Sequence, residues 1–260
     1  MISTPKLALE LALIVAALAL MRDAGAFRRQ RFVLIFTGIA VALNLVFYYA
    51  AAWPLYTAHG DASGIGHGSL HAMVLVDVFK WGLLAYVLAR LAAALQDAGL
   101  AGGFALLRPG ARWGGVVATG LLAAVIATAA IYGLSHAEHR LGWIEGVPWP
   151  QIGRDPAYLK LGLWGGLRNL AGEEILARLG VQAILLRAWG KRRGGAVLAA
   201  VLSAFVFELW HSGFREIYFL NFAASLAFAW AYHRRGYESA AIGHCVADWL
   251  AIVVLPRLFY

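Results

Sequence analysis

Apolar residues gather in eight stretches, near 7–21, 32–53, 70–95, 114–134, 158–189, 195–211, 217–233 and 239–256. Each approaches the roughly 20 residues that an α-helix needs to cross the hydrocarbon of a bilayer. The pattern predicts an all-α, polytopic membrane protein of eight helices joined by loops. It shows no repeat, no low-complexity segment and no extramembrane domain. The fifth stretch is too long for one span and carries Gly165, Gly166 and Gly172, positions at which a helix can tilt or break. Dividing the helices evenly gives an N-terminal half, 1–157, and a C-terminal half, 158–260, within one integrated membrane unit. The first stretch, Leu7 to Met21, is short enough for a signal-peptide core, and Ala24-Gly25-Ala26 resembles a cleavage site. Arg28, Arg29 and Arg31 follow at once, and positive charge there resists export, so a retained helix is expected.

Composition agrees with the pattern, since 62% of the 260 residues are hydrophobic and only 14% charged. A single cysteine excludes an internal disulfide. The net charge of +8 does not indicate nucleic acid, because the basic residues sit in short clusters between apolar runs rather than on one basic face. They report topology instead. With loops assigned alternately to two sides, one side holds twelve: Arg22, Arg28, Arg29, Arg31, Arg108, Arg112, Arg187, Lys191, Arg192, Arg193, Arg234 and Arg235. The other holds six: Lys6, Arg140, Arg154, Lys160, Arg215 and Arg257. The positive-inside rule makes the first side cytoplasmic and puts both termini outside.

An ionisable residue inside a span costs several kcal/mol, roughly 3 on insertion scales, unless it is paired or hydrated. Asp77 and Lys80 are three apart and can pair across one helical turn, a structural role. His59, Asp61, His67 and His71 match no tight metal-ligand spacing and are expected as hydrated loop residues, as are His136 and His139. Glu173 and Glu174 stand side by side in an apolar stretch. Arg178 is four residues past Glu174, on the same face, and can pair with it. Glu173 then points about 100° around the helix, free to address another element. Downstream, His211 closes Phe207-Glu208-Leu209-Trp210-His211, and His244 and Asp248 lie four apart on the last helix. One carboxylate and two imidazoles on separate helices are what general acid–base activation of water requires; the plainer reading is a buried ion pair with packing histidines. Depth supports part of this. Glu173 and His211 are each 18 residues from the basic turn at 191–193, about 27 Å at 1.5 Å per residue, whereas His244 is only 9 beyond Arg235, about 14 Å. A single compact site therefore requires that the helices around 187–195 project beyond the hydrocarbon, or that the final hairpin is tilted or re-entrant.

The ordered set Glu173-Glu174-x-x-x-Arg178, Phe207-x-x-x-His211 and His244-x-x-x-Asp248 resembles the three motifs of the CAAX protease and bacteriocin-processing family, the glutamic intramembrane endopeptidases that include the Rce1-like prenyl-protein proteases. The resemblance covers about 158–256, and the first four helices match nothing beyond being apolar. It implies that Glu173 with His211 activates water, that His244 and Asp248 stabilise the oxyanion, and that Glu174, Arg178 and Phe207 support the site. It also implies a metal-free, cofactor-free protease of a bacterial plasma membrane acting on a membrane-anchored protein or peptide. Asn is common at the last motif position. Asp248 donates a hydrogen bond only when protonated, so it can instead orient His244 by accepting its ring proton. Cys245 adjoins His244 but faces elsewhere on the helix, which leaves it no thiol-protease role. Two other readings stand beside this one. A metalloprotease would use Glu173, His211 and His244 as ligands, although no His-Glu-x-x-His is present. A transporter or immunity-type protein would use the buried charges as an ion path.

Overall fold

The computed structural model describes residues 4–21, 29–53, 67–97, 99, 103–142, 152, 156–170, 172–212 and 219–259. Among these the fold is all-α: α1 Thr4–Met21, α2 Gln30–Phe47, α3 His67–Asp97, α4 Trp113–Arg140, α5 Pro156–Asn169, α6 Ala183–Trp189, α7 Gly195–His211, α8 Phe219–Arg235, α9 Tyr237–Asp248 and α10 Leu255–Phe259. Three π-helical stretches continue neighbouring helices, Tyr48–Ala52 after α2, Ile175–Gln182 before α6 and Trp249–Val254 after α9. Such wide turns are rare and are found at functional sites more often than chance allows.

Each apolar run of the sequence contains helix, but the expected count of eight spans needs correction. Four described stretches are long and apolar enough to cross a membrane, at Gln30–Ala52, His71–Asp97, Trp113–Arg140 and Tyr237–Phe259. The helix Gly195–His211 is apolar but shorter. The fifth run is broken: α5 ends at Asn169, and helix resumes at Glu173 before the π-helical turns. The break coincides with Arg168, Asn169, Glu173 and Glu174, four polar residues that each have a partner on another helix, and with Gly172. Among the glycines of this run, Gly166 has a packing role. A Cβ there would lie 2.7 Å from the Trp249 ring, so only glycine lets α5 approach the end of α9. A similar approach joins α4 to α9, where a Cβ on Gly120 would lie 2.8 Å from the Ser239 carbonyl. Small residues at helix crossings are the usual device where lipid removes the hydrophobic drive for association.

Loop contacts sort the helix ends into two groups. At one end Arg29 pairs with Asp97 at 2.7 Å and donates to the Leu107 carbonyl, while Tyr237 N–H donates to Gly103 at 2.7 Å. At the other, Lys6 Nζ reaches the His211 carbonyl at 3.5 Å, and Glu138 accepts from the Phe219 N–H at 3.0 Å. The start of α2, the end of α3 and the start of α9 thus share one end, as the alternation assumed for the charge count requires of them. The turn between α8 and α9 is roofed by residues 103–107. Gly236 has φ +102°, and a Cβ there would lie 2.9 Å from both Gly103 O and Ala105 N. Glu238 accepts from the N–H groups of Ala105 at 2.6 Å and Leu106 at 3.0 Å. Residues 191–194 are exposed, as are Arg234 and Arg235. His244 Nε2 nonetheless lies 3.9 Å from Glu173 Oε2, so the motifs meet despite the unequal residue counts.

Candidate active site

Five helical elements meet at the break between α5 and the π-helical turns. Glu174 and Arg178 are fully buried, and Arg178 Nε lies 2.8 Å from Glu174 Oε2. The rest of the guanidinium is spent on three elements: Gln182 Oε1 at 3.3 Å, Ser203 Oγ on α7 at 3.1 Å, and Ser225 on α8 at 2.6 Å to Oγ and 3.1 Å to its carbonyl. A buried cation costs dearly when its donors are unmet. Here Nε, Nη1 and Nη2 each have an acceptor, and one side chain ties the start of the π-helical turns to α7 and α8. The expected bracing pair is therefore present in geometry and reaches further than its own helix.

Glu173 points away from Glu174 and meets the end of α7. Its Oε2 lies 3.1 Å from His211 Nε2 and 3.9 Å from His244 Nε2, and its Oε1 lies 3.9 Å from Arg168. His211 Nδ1 is 3.2 Å from the Phe207 carbonyl, an acceptor, so Nδ1 carries hydrogen. A neutral ring would then turn a bare Nε2 toward a carboxylate oxygen. The 3.1 Å contact is a hydrogen bond only if one proton lies between the two groups. Phe207, four residues before His211, is buried and fills the space between the imidazoles, with ring centroids 4.2 Å from His211 and 5.8 Å from His244.

His244 is buried on α9, its ring stacked on Phe228 at 4.7 Å. Nδ1 lies 3.0 Å from Glu174 Oε1 and so is the protonated nitrogen toward that carboxylate. The group that holds His244 through Nδ1 is therefore Glu174, whereas Asp248 Oδ1 stands 3.7 Å from Nε2, beyond hydrogen-bond length. Asp248 Oδ2 instead accepts from Asn169 Nδ2 at 2.6 Å, and the same Nδ2 is 3.4 Å from His244 Nε2. Cys245 is buried, its neighbour His244 facing the site without it. Among the described residues no group of three His, Cys, Asp or Glu side chains is arranged to hold a metal ion.

Two residues at the centre were missing from the sequence reading. Asn169 and Arg168 precede Glu173 in the same apolar run, and the rule that polar residues in a span are functional applies to them as it does to Glu173. Arg168 is enclosed by the N-terminal half, with Nε 2.9 Å from Asn44 Oδ1 and the guanidinium carbon 4.9 Å from the Phe47 ring and 5.3 Å from Trp81. The Asp77–Lys80 pair forms as expected, at 2.9 Å, and Lys80 also reaches Glu10 on α1 at 3.1 Å while Tyr48 donates to Asp77. His71 stacks on Trp53 with centroids 3.9 Å apart, and His136 Nδ1 meets the Tyr132 carbonyl at 2.7 Å, neither near the site. His59, Asp61, Arg154 and Arg215 lie outside the described residues.

Residues 155–250 match the family of type II CAAX prenyl endopeptidases of the Rce1-like kind. The match takes in every residue of the cluster except those supplied by α2 and α3, and leaves 1–154 unmatched. No curated protein and no solved structure is significantly similar to the chain.

Proposed function

From the premise that residues 155–250 are a Rce1-like domain, and so belong to a family of intramembrane endopeptidases, we propose that Glu173 and His211 are the water-activating pair of this protease. The observation that carries the assignment is the 3.1 Å contact between Glu173 Oε2 and His211 Nε2, made between elements that Arg178 binds together. Water held by Glu173 attacks the carbonyl carbon of a peptide bond. Its oxygen forms the new C–O bond, its proton passes to Glu173, and the electron pair of the carbonyl goes to oxygen. The tetrahedral intermediate collapses with cleavage of C–N, and the proton held by the Glu173–His211 pair goes to the leaving nitrogen. The oxyanion forms on the side of His244, where donors aimed at developing charge supply much of the acceleration. Glu174 orients His244, and Arg178 holds Glu174.

The substrate is a membrane-associated protein or peptide, and the setting is a bacterial plasma membrane with the 191–193 turn in the cytoplasm. The test uses purified protein in detergent, EDTA throughout, and internally quenched peptides anchored by an acyl chain, comparing wild type with Glu173→Gln. Wild type is expected to cleave and Glu173→Gln to lose about 10²–10⁴-fold in kcat, the usual contribution of a positioned base. Cleavage undiminished in Glu173→Gln removes it as the base. Wild-type activity abolished by EDTA and restored by zinc turns the same residues into metal ligands.

A further inference from the structure

Asp248 is the one site residue whose chemistry does not suit the place it occupies. A carboxylate offers only acceptors, and a developing oxyanion needs donors. The tautomer of His244 sharpens the difficulty. Its Nδ1 hydrogen is committed to Glu174 Oε1 at 3.0 Å, so Nε2 carries a hydrogen only when the ring is doubly protonated. Beside them stands an amide that the reaction as proposed above does not use. Asn169, the last residue of α5, is 5% exposed. Its Nδ2 lies 2.6 Å from Asp248 Oδ2, which identifies that atom as the nitrogen, since a carboxylate oxygen would not face the amide oxygen at this distance.

We infer that Asn169 is a catalytic residue, the amide donor to the oxyanion, and that Asp248 acts on the reaction by holding it. The amide nitrogen has two hydrogens. One is taken by Asp248, which fixes the plane of the amide. The other lies on the His244 side, where Nδ2 and His244 Nε2 are 3.4 Å apart. Two nitrogens at that separation can both reach one oxygen at about 2.9 Å, the ordinary length for N–H···O; Asn169 donates in either state of the ring, and His244 Nε2 joins it only when the ring is doubly protonated. The oxygen placed there also lies next to Glu173, whose Oε2 is 3.9 Å from the same His244 Nε2, so a carbonyl polarised by Asn169 presents its carbon to the water held by Glu173. The break after α5 supports this use of Asn169. It is what turns a polar side chain at a helix end into the cluster rather than into the next helical turn.

This rests on the protease reading and is tested with the same acyl-anchored quenched peptides. Asn169→Ala is expected to lower kcat by about 10²–10³-fold with KM within threefold, the loss typical of one oxyanion donor. The double variant Asn169→Ala with Asp248→Asn returns an amide to the same spot from α9 and removes the carboxylate left without its partner. It is expected to recover at least tenfold of the lost kcat, which a merely structural role for Asn169 does not predict. Thermal unfolding in detergent is followed in parallel. A folded Asn169→Ala protein with kcat within threefold of wild type overturns the inference. So does a folded double variant no faster than Asn169→Ala, or, where Asn169→Ala does not fold, no faster than Glu173→Gln. Absence of cleavage by wild type, or cleavage equal in wild type and Glu173→Gln, overturns the underlying reading instead.

Discussion

At the residue scale, the two adjacent glutamates carry opposite burdens. Glu174 is fully buried and bound on one oxygen by Arg178 and on the other by His244, whereas Glu173 keeps an accessible face and partners on three elements. Replacing Arg178 by Ala leaves Glu174 and its pocket of acceptors without a cation. A loss of about 3–5 kcal/mol is expected, the usual cost of removing one partner of a buried pair. The measurement is the folded fraction recovered from membranes and its unfolding temperature in detergent, and an undiminished yield counts against the brace. In the proposed mechanism Glu173 and His211 act on one water. The double variant Glu173→Gln with His211→Ala is therefore expected to be little slower than either single variant, far from the product of the two losses. The pairing of Glu174 with Arg178 is visible in the sequence because a four-residue spacing on a helix brings side chains together. That Glu174 also holds His244 is not visible, because their separation of 70 residues is bridged only by packing.

At the scale of elements, the helices outside the family match contribute to the site. Asn44 is fully buried on α2, a helix otherwise turned largely outward, and its carbonyl oxygen accepts from Arg168, whose guanidinium faces Glu173. Asn44→Leu keeps the branched skeleton but removes the acceptor and frees Arg168 to reorient. It is expected to lower kcat several-fold with KM preserved, and Asn44→Asp, which keeps an acceptor toward Arg168, to lie closer to wild type. Equal kcat values for the Leu and Asp variants would argue that only packing is at stake. The approach of α5 to α9 depends on Gly166. Gly166→Leu must displace Trp249, and through α9 His244 and Asp248, so loss of activity is expected with the helical far-UV signal intact. Helix existence was legible throughout, since each apolar run does contain helix. The break between Asn169 and Glu173 was foreshadowed by Gly172, but its position coincides with polar residues that have partners on other helices.

At the scale of the molecule, the two groups of helix ends give the charge count its meaning. The loops assigned to one side carry twelve basic residues and those assigned to the other six, so reporter fusions at 191–193 are expected to read as cytoplasmic and at 141–142 as external. An external reading at 191–193 would reverse the orientation. The site lies among α5, α7 and α9, with His211 at the end of α7 that Lys6 also reaches, the end assigned to the outside.

The sequence by itself determined the membrane class, the helical content and the order of the motifs, because a bilayer constrains hydrophobic length and forces every backbone amide into local hydrogen bonds, both of which are local properties. It also singled out Glu173, Glu174, Arg178, His211, His244 and Asp248, since an ionisable side chain in a span stands against its surroundings. Only the tertiary structure decided which of these touch. His244 Nδ1 lies 3.0 Å from Glu174 Oε1, a meeting that residue counts from the basic turns do not contain. The same packing brings Asn169 and Arg168 into the cluster and gives the N-terminal helices their part in it. These contacts join residues up to 124 positions apart, and the free energy that selects them comes from the fit of whole helices rather than from any one residue's preference.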